Sequence, residues 1–168
     1  MSVPRLTVIG IPSVQPALEE GTNVVDGVVA SFLKNDRELV VGELNTWKGT
    51  RYAHVRVLVP SAVEDEWLHT DNGVAIEADR IGELRAAVNK LLEVASRDIV
   101  VGRIPIGKDE IHVGVNTFKG NAYAYLRRFY KKDDEWHPTR KGVSLRVEMA
   151  GELVDLVGEL AAAAGRAE

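Results

Sequence analysis

The chain of 168 residues contains no cysteine, carries a formal net charge of −4, and is 45% hydrophobic and 27% charged. This composition excludes disulfides, thiolate metal sites and wholesale disorder, and the length suits one domain or two small ones that share a core. A pI near 5.6 argues against a protein that binds nucleic acid over its whole surface. Any nucleic-acid-binding site must therefore be confined to one part of the surface.

Residues 1–35 form an N-terminal extension to which the sequence assigns no function. Residues 6–11 predict a strand, and apolar residues at three- and four-residue spacing after it predict a helix face: Val25, Val28, Val29, Phe32 and Leu33. Residues 1–15 lack an apolar run long enough for a signal peptide or a membrane span. We therefore expect a soluble, cytoplasmic protein with no membrane partner.

The rest of the chain repeats itself. The sequence NTWKG at 45–49 returns as NTFKG at 116–120, and Tyr52 returns as Tyr123, both at an offset of 71 residues. The pairs EW at 66–67, GV at 73–74 and EL at 83–84 return at an offset of 69. Similarity that continues in order predicts two copies of one unit, a first repeat over 36–96 and a second repeat over 97–168.

Each repeat has the local signals of strands followed by one helix. In the second repeat, residues 111–115, 121–130 and 143–145 predict strands. Apolar residues at helical spacing then predict one buried helix face: Met149, Leu153, Leu156, Val157 and Leu160. The corresponding face of the first repeat comprises Ile81, Leu84, Val88, Leu91, Leu92 and Ala95.

The strand predicted at 121–130 has two different sides, because successive side chains point to opposite faces of a sheet. One side is small and apolar, with Ala122, Ala124 and Leu126. The other carries three rings and a cation, with Tyr123, Tyr125, Arg127 and Phe129. Rings and cations on one surface favour stacking of bases and contact with phosphates. A second buried face of a sandwich is the alternative, since aromatic residues are common in strands.

Short motifs stand in the second repeat at 106–108 (IGK), 118–120 (FKG), 126–127 (LR) and 140–145 (RKGVSL). In order and spacing they resemble the positive-cofactor-four family of transcriptional coactivators, and a fainter copy covers 37–95. The resemblance implies an α+β fold of whirly-like type, with a four-stranded antiparallel sheet and a C-terminal helix in each unit, which binds single-stranded DNA. That family pairs two chains through their helices, so two repeats in one chain imply an intramolecular pseudo-dimer.

The resemblance also implies a nucleic-acid-binding surface, in which Phe118 stacks on a base and nearby cations meet phosphates. With the aromatic row included, the candidate residues of the second repeat are Phe118, Lys119, Tyr123, Tyr125, Arg127, Tyr130, Arg140 and Lys141. The matching residues of the first repeat are Trp47, Lys48, Tyr52 and Arg56. There, Asp71 and Asn72 replace the pair of cations at 140–141.

The two repeats differ in charge. Residues 118–146 hold eight Lys or Arg against three Asp or Glu, a net of +5, whereas residues 47–77 hold three against five, a net of −2. If both windows line one groove, the site is lopsided and the second repeat supplies most of its cations.

Other chemistry finds little support in the sequence. The four histidines show no paired ligand spacing, so no metal or other cofactor is predicted. Residues 102–109 (GRIPIGKD) fall one residue short of a phosphate-binding loop and precede a predicted strand, where that motif must open a helix. Since no nucleophile motif occurs either, we expect no enzymatic activity.

We predict sequence-tolerant binding of single-stranded DNA, with RNA left open, in transcription regulation, replication or repair. The alternative is a protein-interaction module that kept the fold and lost nucleic-acid binding, motivated by the acidic pI and the charge of the first repeat. Helices that pair within one chain allow a compact monomer, and a homodimer formed through sheet edges also stays open.

Overall fold

The computed structural model describes residues 7–9, 27–63, 66–94 and 97–165. Its first strands are β1 (Thr7–Ile9), β2 (Gly27–Asn35), β3 (Glu38–Trp47), β4 (Thr50–Pro60) and β5 (Glu66–Glu77). Helix α1 (Ile81–Asn89) follows, between 3₁₀ turns at Ala78–Arg80 and Lys90–Glu93. The second series has β6 (Ile99–Ile106), β7 (Asp109–Phe118), β8 (Asn121–Lys132), β9 (Glu135–Arg146), a 3₁₀ turn at Val147–Met149 and α2 (Ala150–Gly165).

Each repeat forms one sheet, in which β2 to β5 and β6 to β9 pair in chain order and antiparallel. Strand β1 adds a fifth, parallel strand at the edge of the first sheet, where Thr7 pairs with Glu66. The predicted α+β fold, with a four-stranded antiparallel unit and a helix in each repeat, is confirmed. The strand predicted over residues 6–11 is confirmed at Thr7–Ile9, and the rest of that prediction lies outside the described residues. The sequence did not predict that this strand pairs with β5.

The helix predicted over residues 25–33 is wrong, because the described part of that segment is strand β2. Its pairing with β3 shifts register between Val28 and Ala30, where one extra residue bulges out. A bulge breaks the two-residue period of a strand, so Val29 and Phe32, three residues apart, pack on the same core. Since β2 belongs to the first sheet, that sheet begins inside the segment predicted to be the N-terminal extension.

The helices are exchanged between the repeats. Helix α1 packs on β6 of the second sheet, α2 packs on β2 and β3 of the first, and the helices pack on each other. Glycine permits this approach, since a Cβ at Gly102 would lie 2.5 Å from the Cβ of Ala87 and one at Gly42 would lie 3.1 Å from Leu156. One hydrophobic core therefore contains residues of both sheets and both helices, and the predicted intramolecular pseudo-dimer is confirmed.

Most of the predicted core residues of the helices are buried. The exception in the first repeat is Leu92, which is exposed because the chain leaves α-helical geometry after Asn89 and continues as a 3₁₀ turn. Met149 is half-buried in the turn before α2, and Ala95 lies outside the described residues. Within the part of the chain that the structure describes, no helix is long and apolar enough to cross a membrane.

The two sheets share their turns and irregularities. Lys48 and Lys119, between β3 and β4 and between β7 and β8, both have a φ of 52°, and each precedes a glycine with a φ of 82°. Two positive φ values in succession define the type I′ turn of a tight hairpin. Strands β5 and β9 also bulge at the same place, opposite the residue that follows Arg56 on β4 and the residue that follows Arg127 on β8. Differences between the two surfaces therefore come from the side chains.

Candidate nucleic-acid interface

We call the face of each sheet that is turned away from the helices its outer face. On β8, Ala124 and Leu126 are buried on the helix side, and Tyr123, Tyr125 and Arg127 alternate with them on the outer face. The predicted alternation of this strand is therefore confirmed. It places two rings and a cation in one row across the middle of the second sheet.

This row is partly covered by its own neighbours. Tyr125 is only 9% exposed, and its hydroxyl lies over Gly114, where an added Cβ would come within 2.8 Å of it. Burial, followed by the charge of Asp98, raises the pKa of Tyr125. Arg127 stays half-buried, and its Nη1 donates to the carbonyl oxygen of Thr139 at 3.1 Å. The alternative of a second buried face, as in a sandwich, thus agrees with the burial of Tyr125 but not with the partial exposure of Arg127.

An exposed ring stands at the tip of each long hairpin. Phe118 is 61% exposed and Trp47 is 46% exposed. The Nζ of Lys119 lies 5.3 Å from the ring centroid of Phe118, and the Nζ of Lys48 lies 5.1 Å from that of Trp47. Each tip therefore offers a ring face with a cation beside it, which suits a base and its phosphate.

The outer face of the second sheet continues into a cluster of rings, of which the sequence predicted only Phe129 on this face. The ring of His112 stacks on Phe129 at a centroid distance of 4.0 Å and meets Trp136 edge-on at 5.8 Å. The Nε2 of His112 and the Nε of Arg103 both lie 2.9 Å from Glu110 Oε1. Strand alternation from 110 to 114 would have placed Glu110 and His112 on this face, but only the register shows that Phe129 lies against them.

The remaining candidates of the second repeat lie on or beside β9. Tyr130 is exposed and stacks on His137 at a centroid distance of 5.4 Å. Arg140 and Lys141 are exposed in a bulge of β9 that is fixed by Thr139. The hydroxyl of Thr139 donates to the carbonyl oxygen of Arg128 at 2.8 Å and accepts from the backbone N–H of Lys141 at 3.1 Å.

In the first repeat, Arg56 occupies the position of Arg127 but lies in a different environment. It is 5% exposed, and its Nε lies 3.2 Å from Glu43 Oε1. The expectation that Arg56 stands on the surface for a phosphate is therefore corrected. Glu43 on β3, at the position of Gly114 in the second repeat, neutralises it inside the sheet.

Two histidines complete this buried ionic cluster of Glu43, His54, Arg56 and His69. His69 Nε2 donates to Glu43 Oε2 at 3.0 Å, and Arg56 Nη2 lies 2.9 Å from His54 Nδ1. Since that guanidinium can only donate, the proton of neutral His54 is on Nε2, which lies 3.1 Å from Asn45 Oδ1.

The buried cluster holds fixed charge states at neutral pH. Burial raises the pKa of Glu43, but the hydrogen bond from His69 and the charge of Arg56 outweigh it, so that the pKa is lowered. Burial and the charge of Arg56 lower the pKa of His54 to about 4. Glu43 is therefore an anion and His54 is neutral.

Apolar side chains replace the ring cluster in the first repeat. Leu39, Val41 and Leu58 form a small separate core on the outer face, with Trp67 packed against it. Of the predicted site residues, Lys48 and Trp47 remain exposed, and Tyr52 is half-buried. Among the described residues, no group of three or more His, Asp or Glu side chains is arranged to hold a metal ion.

Residues 106–156 match the family model described as Transcriptional Coactivator p15 (PC4), which confirms the resemblance predicted for the second repeat. No curated protein sequence matches the chain. Among solved structures, a PC4 homolog from Burkholderia pseudomallei is similar, with 22% identity and a TM-score of 0.34, over 40% of this chain and 98% of that one. The bacteriophage T5 homolog of the eukaryotic coactivator PC4, implicated in recombination-dependent DNA replication, has 23% identity and a TM-score of 0.34, over 42% and 81%.

Proposed function

We propose that the chain binds single-stranded DNA through the outer face of its second repeat. One observation carries this proposal, namely that equivalent arginines have different partners. Arg56 is ion-paired with a buried carboxylate, whereas Arg127 donates to the carbonyl oxygen of Thr139 and keeps its charge for a ligand. A cation held by a carbonyl among aromatic rings suits a phosphate whose base stacks nearby.

The other candidates of the second repeat extend this surface. Phe118 and Lys119 stand exposed at the tip of the hairpin formed by β7 and β8, and Tyr123 and Arg127 lie on β8. Stacking on rings is tolerant of sequence because every base has a flat face, and cations track the backbone. The match of this segment to a transcriptional coactivator family model also supports DNA as the ligand.

The test is a titration of a labelled twenty-nucleotide thymidine strand at about 50 mM and about 200 mM salt. We expect saturable binding, with log K falling against log salt by about 0.7 for each neutralised phosphate. A duplex of the same length should bind more weakly, because stacking needs exposed base faces. An RNA strand of the same length, used as competitor, distinguishes DNA from RNA. Absence of saturable binding at the lower salt concentration would reject the proposal.

A protein-interaction module is the second candidate. It is favoured by the first repeat, whose outer face is neutralised by Glu43 and covered by Leu39 and Leu58. This candidate predicts no binding of the thymidine strand at either salt concentration, so the same titration separates the two functions.

A further inference from the structure

A cleft lies where β5 of the first sheet runs beside β9 of the second. We call this cavity of about 230 Å³ the seam cleft. Its floor comes from the first repeat, with His54, Arg56, Thr70 and small or aliphatic residues at 73–75. The second repeat contributes two cations to it, Arg128 and Lys141. Lys141, which the sequence placed with the site of the second repeat, therefore faces the first repeat as well.

The charges of the seam cleft favour an anion. Arg128 is fixed by its Nε, which donates to Asp109 Oδ2 at 2.8 Å, and its side chain remains 37% exposed. That ion pair uses one of the five N–H donors of a guanidinium. The Thr139 hydroxyl joins the two cationic residues, because it donates to the carbonyl oxygen of Arg128 and accepts from the backbone N–H of Lys141. Lys141 is exposed and adds an ammonium on a flexible stem.

One acid lines the same cleft. Asp71 is exposed in the bulge of β5, and Thr70 fixes that bulge, because its hydroxyl donates to Val57 O at 2.7 Å and accepts from Asn72 N at 3.0 Å. The same bulge in β9 presents Arg140 in place of Asp71. Asp71 therefore places a fixed negative charge beside the two cations.

The lining also indicates which part of a nucleic acid would enter. No phenylalanine, tyrosine or tryptophan is among the described residues that line the cleft, so it offers no large ring on which a base would stack. Guanidinium and ammonium groups beside backbone and hydroxyl groups are the donors that phosphates accept from.

We propose that the seam cleft binds a backbone phosphate of the strand, with Arg128 and Lys141 as its cations and Asp71 as the charge that limits its affinity. This inference rests on the proposed function and adds a position to it, assembled from both repeats. The outer face of the second repeat stacks bases, and the seam cleft holds the backbone without reading them.

The first experiment records amide spectra of the ¹⁵N-labelled chain during titration with a thymidine octamer at low salt. We expect shifts at residues 70–75 and at Arg128, in addition to those of β7 and β8. Shifts confined to β7 and β8 would overturn the seam cleft and leave the proposed function standing. Absence of any shift would reject the proposed function itself.

The second experiment repeats this titration with Lys141→Gln and with Lys90→Gln, an exposed lysine after α1 that serves as the charge-matched control. Lys141→Gln should abolish the shifts at residues 70–75 and retain those of β7. Lys90→Gln should retain both. Unchanged shifts at 70–75 in Lys141→Gln would overturn the assignment of its cation.

The third experiment measures affinity for the same octamer in Asp71→Asn and in Asp155→Asn, which removes an equal charge from the exposed side of α2. Asp71→Asn should tighten binding by about two- to fivefold, the range of one exposed charge pair, and Asp155→Asn should leave it nearly unchanged. Equal effects would show that only the total charge matters, and would overturn the role of Asp71.

Discussion

The outer faces of the two repeats differ most at one position of the central strands, where Glu43 of the first repeat corresponds to Gly114 of the second. In the first sheet the carboxylate of Glu43 draws Arg56 into an ion pair that is almost completely buried. In the second sheet, the space over Gly114 is filled by Tyr125, and Arg127 stays half-exposed. The same residue type at the same place in the same scaffold is thus part of the core in one repeat and of the surface in the other. The residue on the adjacent strand, Glu43 or Gly114, therefore determines whether the arginine is buried or exposed.

The largest effect expected from this comparison concerns stability. Arg56→Ala leaves Glu43 buried without its guanidinium partner, and should lower the free energy of unfolding by about 3–5 kcal/mol. Arg127→Ala removes a hydrogen bond from a half-exposed group, and should lower it by about 0.5–1.5 kcal/mol. Urea unfolding of both variants measures the difference. Equal losses would mean that the two arginines have equivalent roles.

The exposed rings of the hairpin tips should differ in binding. Phe118→Ala removes a stacking platform from the cationic repeat and should weaken binding of the thymidine strand by about 1–3 kcal/mol. Trp47→Ala removes the matching ring from the neutralised repeat and should have a smaller effect. Fluorescence anisotropy on both variants gives the ranking, and a larger loss for Trp47→Ala would contradict it.

The buried histidine should make the first repeat sensitive to acid. The folded chain holds the pKa of His54 at about 4, below the usual 6.5, so the unfolded chain takes up this proton first as pH falls. Protonation of His54 should therefore leave the free energy of unfolding unchanged above about pH 6.5 and lower it by about 2 kcal/mol by about pH 5. The decrease should end near the pKa of His54 in the folded chain. His54→Gln removes this titration. Urea unfolding at both pH values in the two proteins should therefore show a smaller decrease for His54→Gln, and an equal decrease would contradict the assignment.

Local patterns in the sequence predicted much of this fold. The alternation along β8 and the helical spacing in α2 depend on neighbours within one element, so they could be read directly. The repeat at an offset of 71 residues predicted two units, and the family resemblance implied that they pair through their helices. Strand β2 was missed because the bulge after Val28 gives a strand the apolar spacing of a helix.

The burial of Arg56 could not be predicted from its own strand. Its partner Glu43 lies on the preceding strand, and the two side chains meet only through the register that pairs Glu43 with His54. Comparison of the repeats offered one signal, since the same offset that matches Arg56 with Arg127 also matches Glu43 with Gly114. The ring cluster of His112, Phe129 and Trp136 likewise depends on three strands coming together.

The central claim is that the outer face of the second repeat provides the cations for the strand. It is tested most directly by the salt dependence of oligonucleotide binding in two double variants, Arg127→Ala with Lys141→Ala and Lys48→Ala with Lys90→Ala. The first removes two cations of the proposed site, and should weaken binding at least about tenfold and lower the slope of log K against log salt by about 1.4, or 0.7 for each phosphate that is no longer neutralised. The second removes two exposed cations of the first repeat and should change the slope by less than half as much. A slope that falls equally in both variants, or more in the second, would contradict the account.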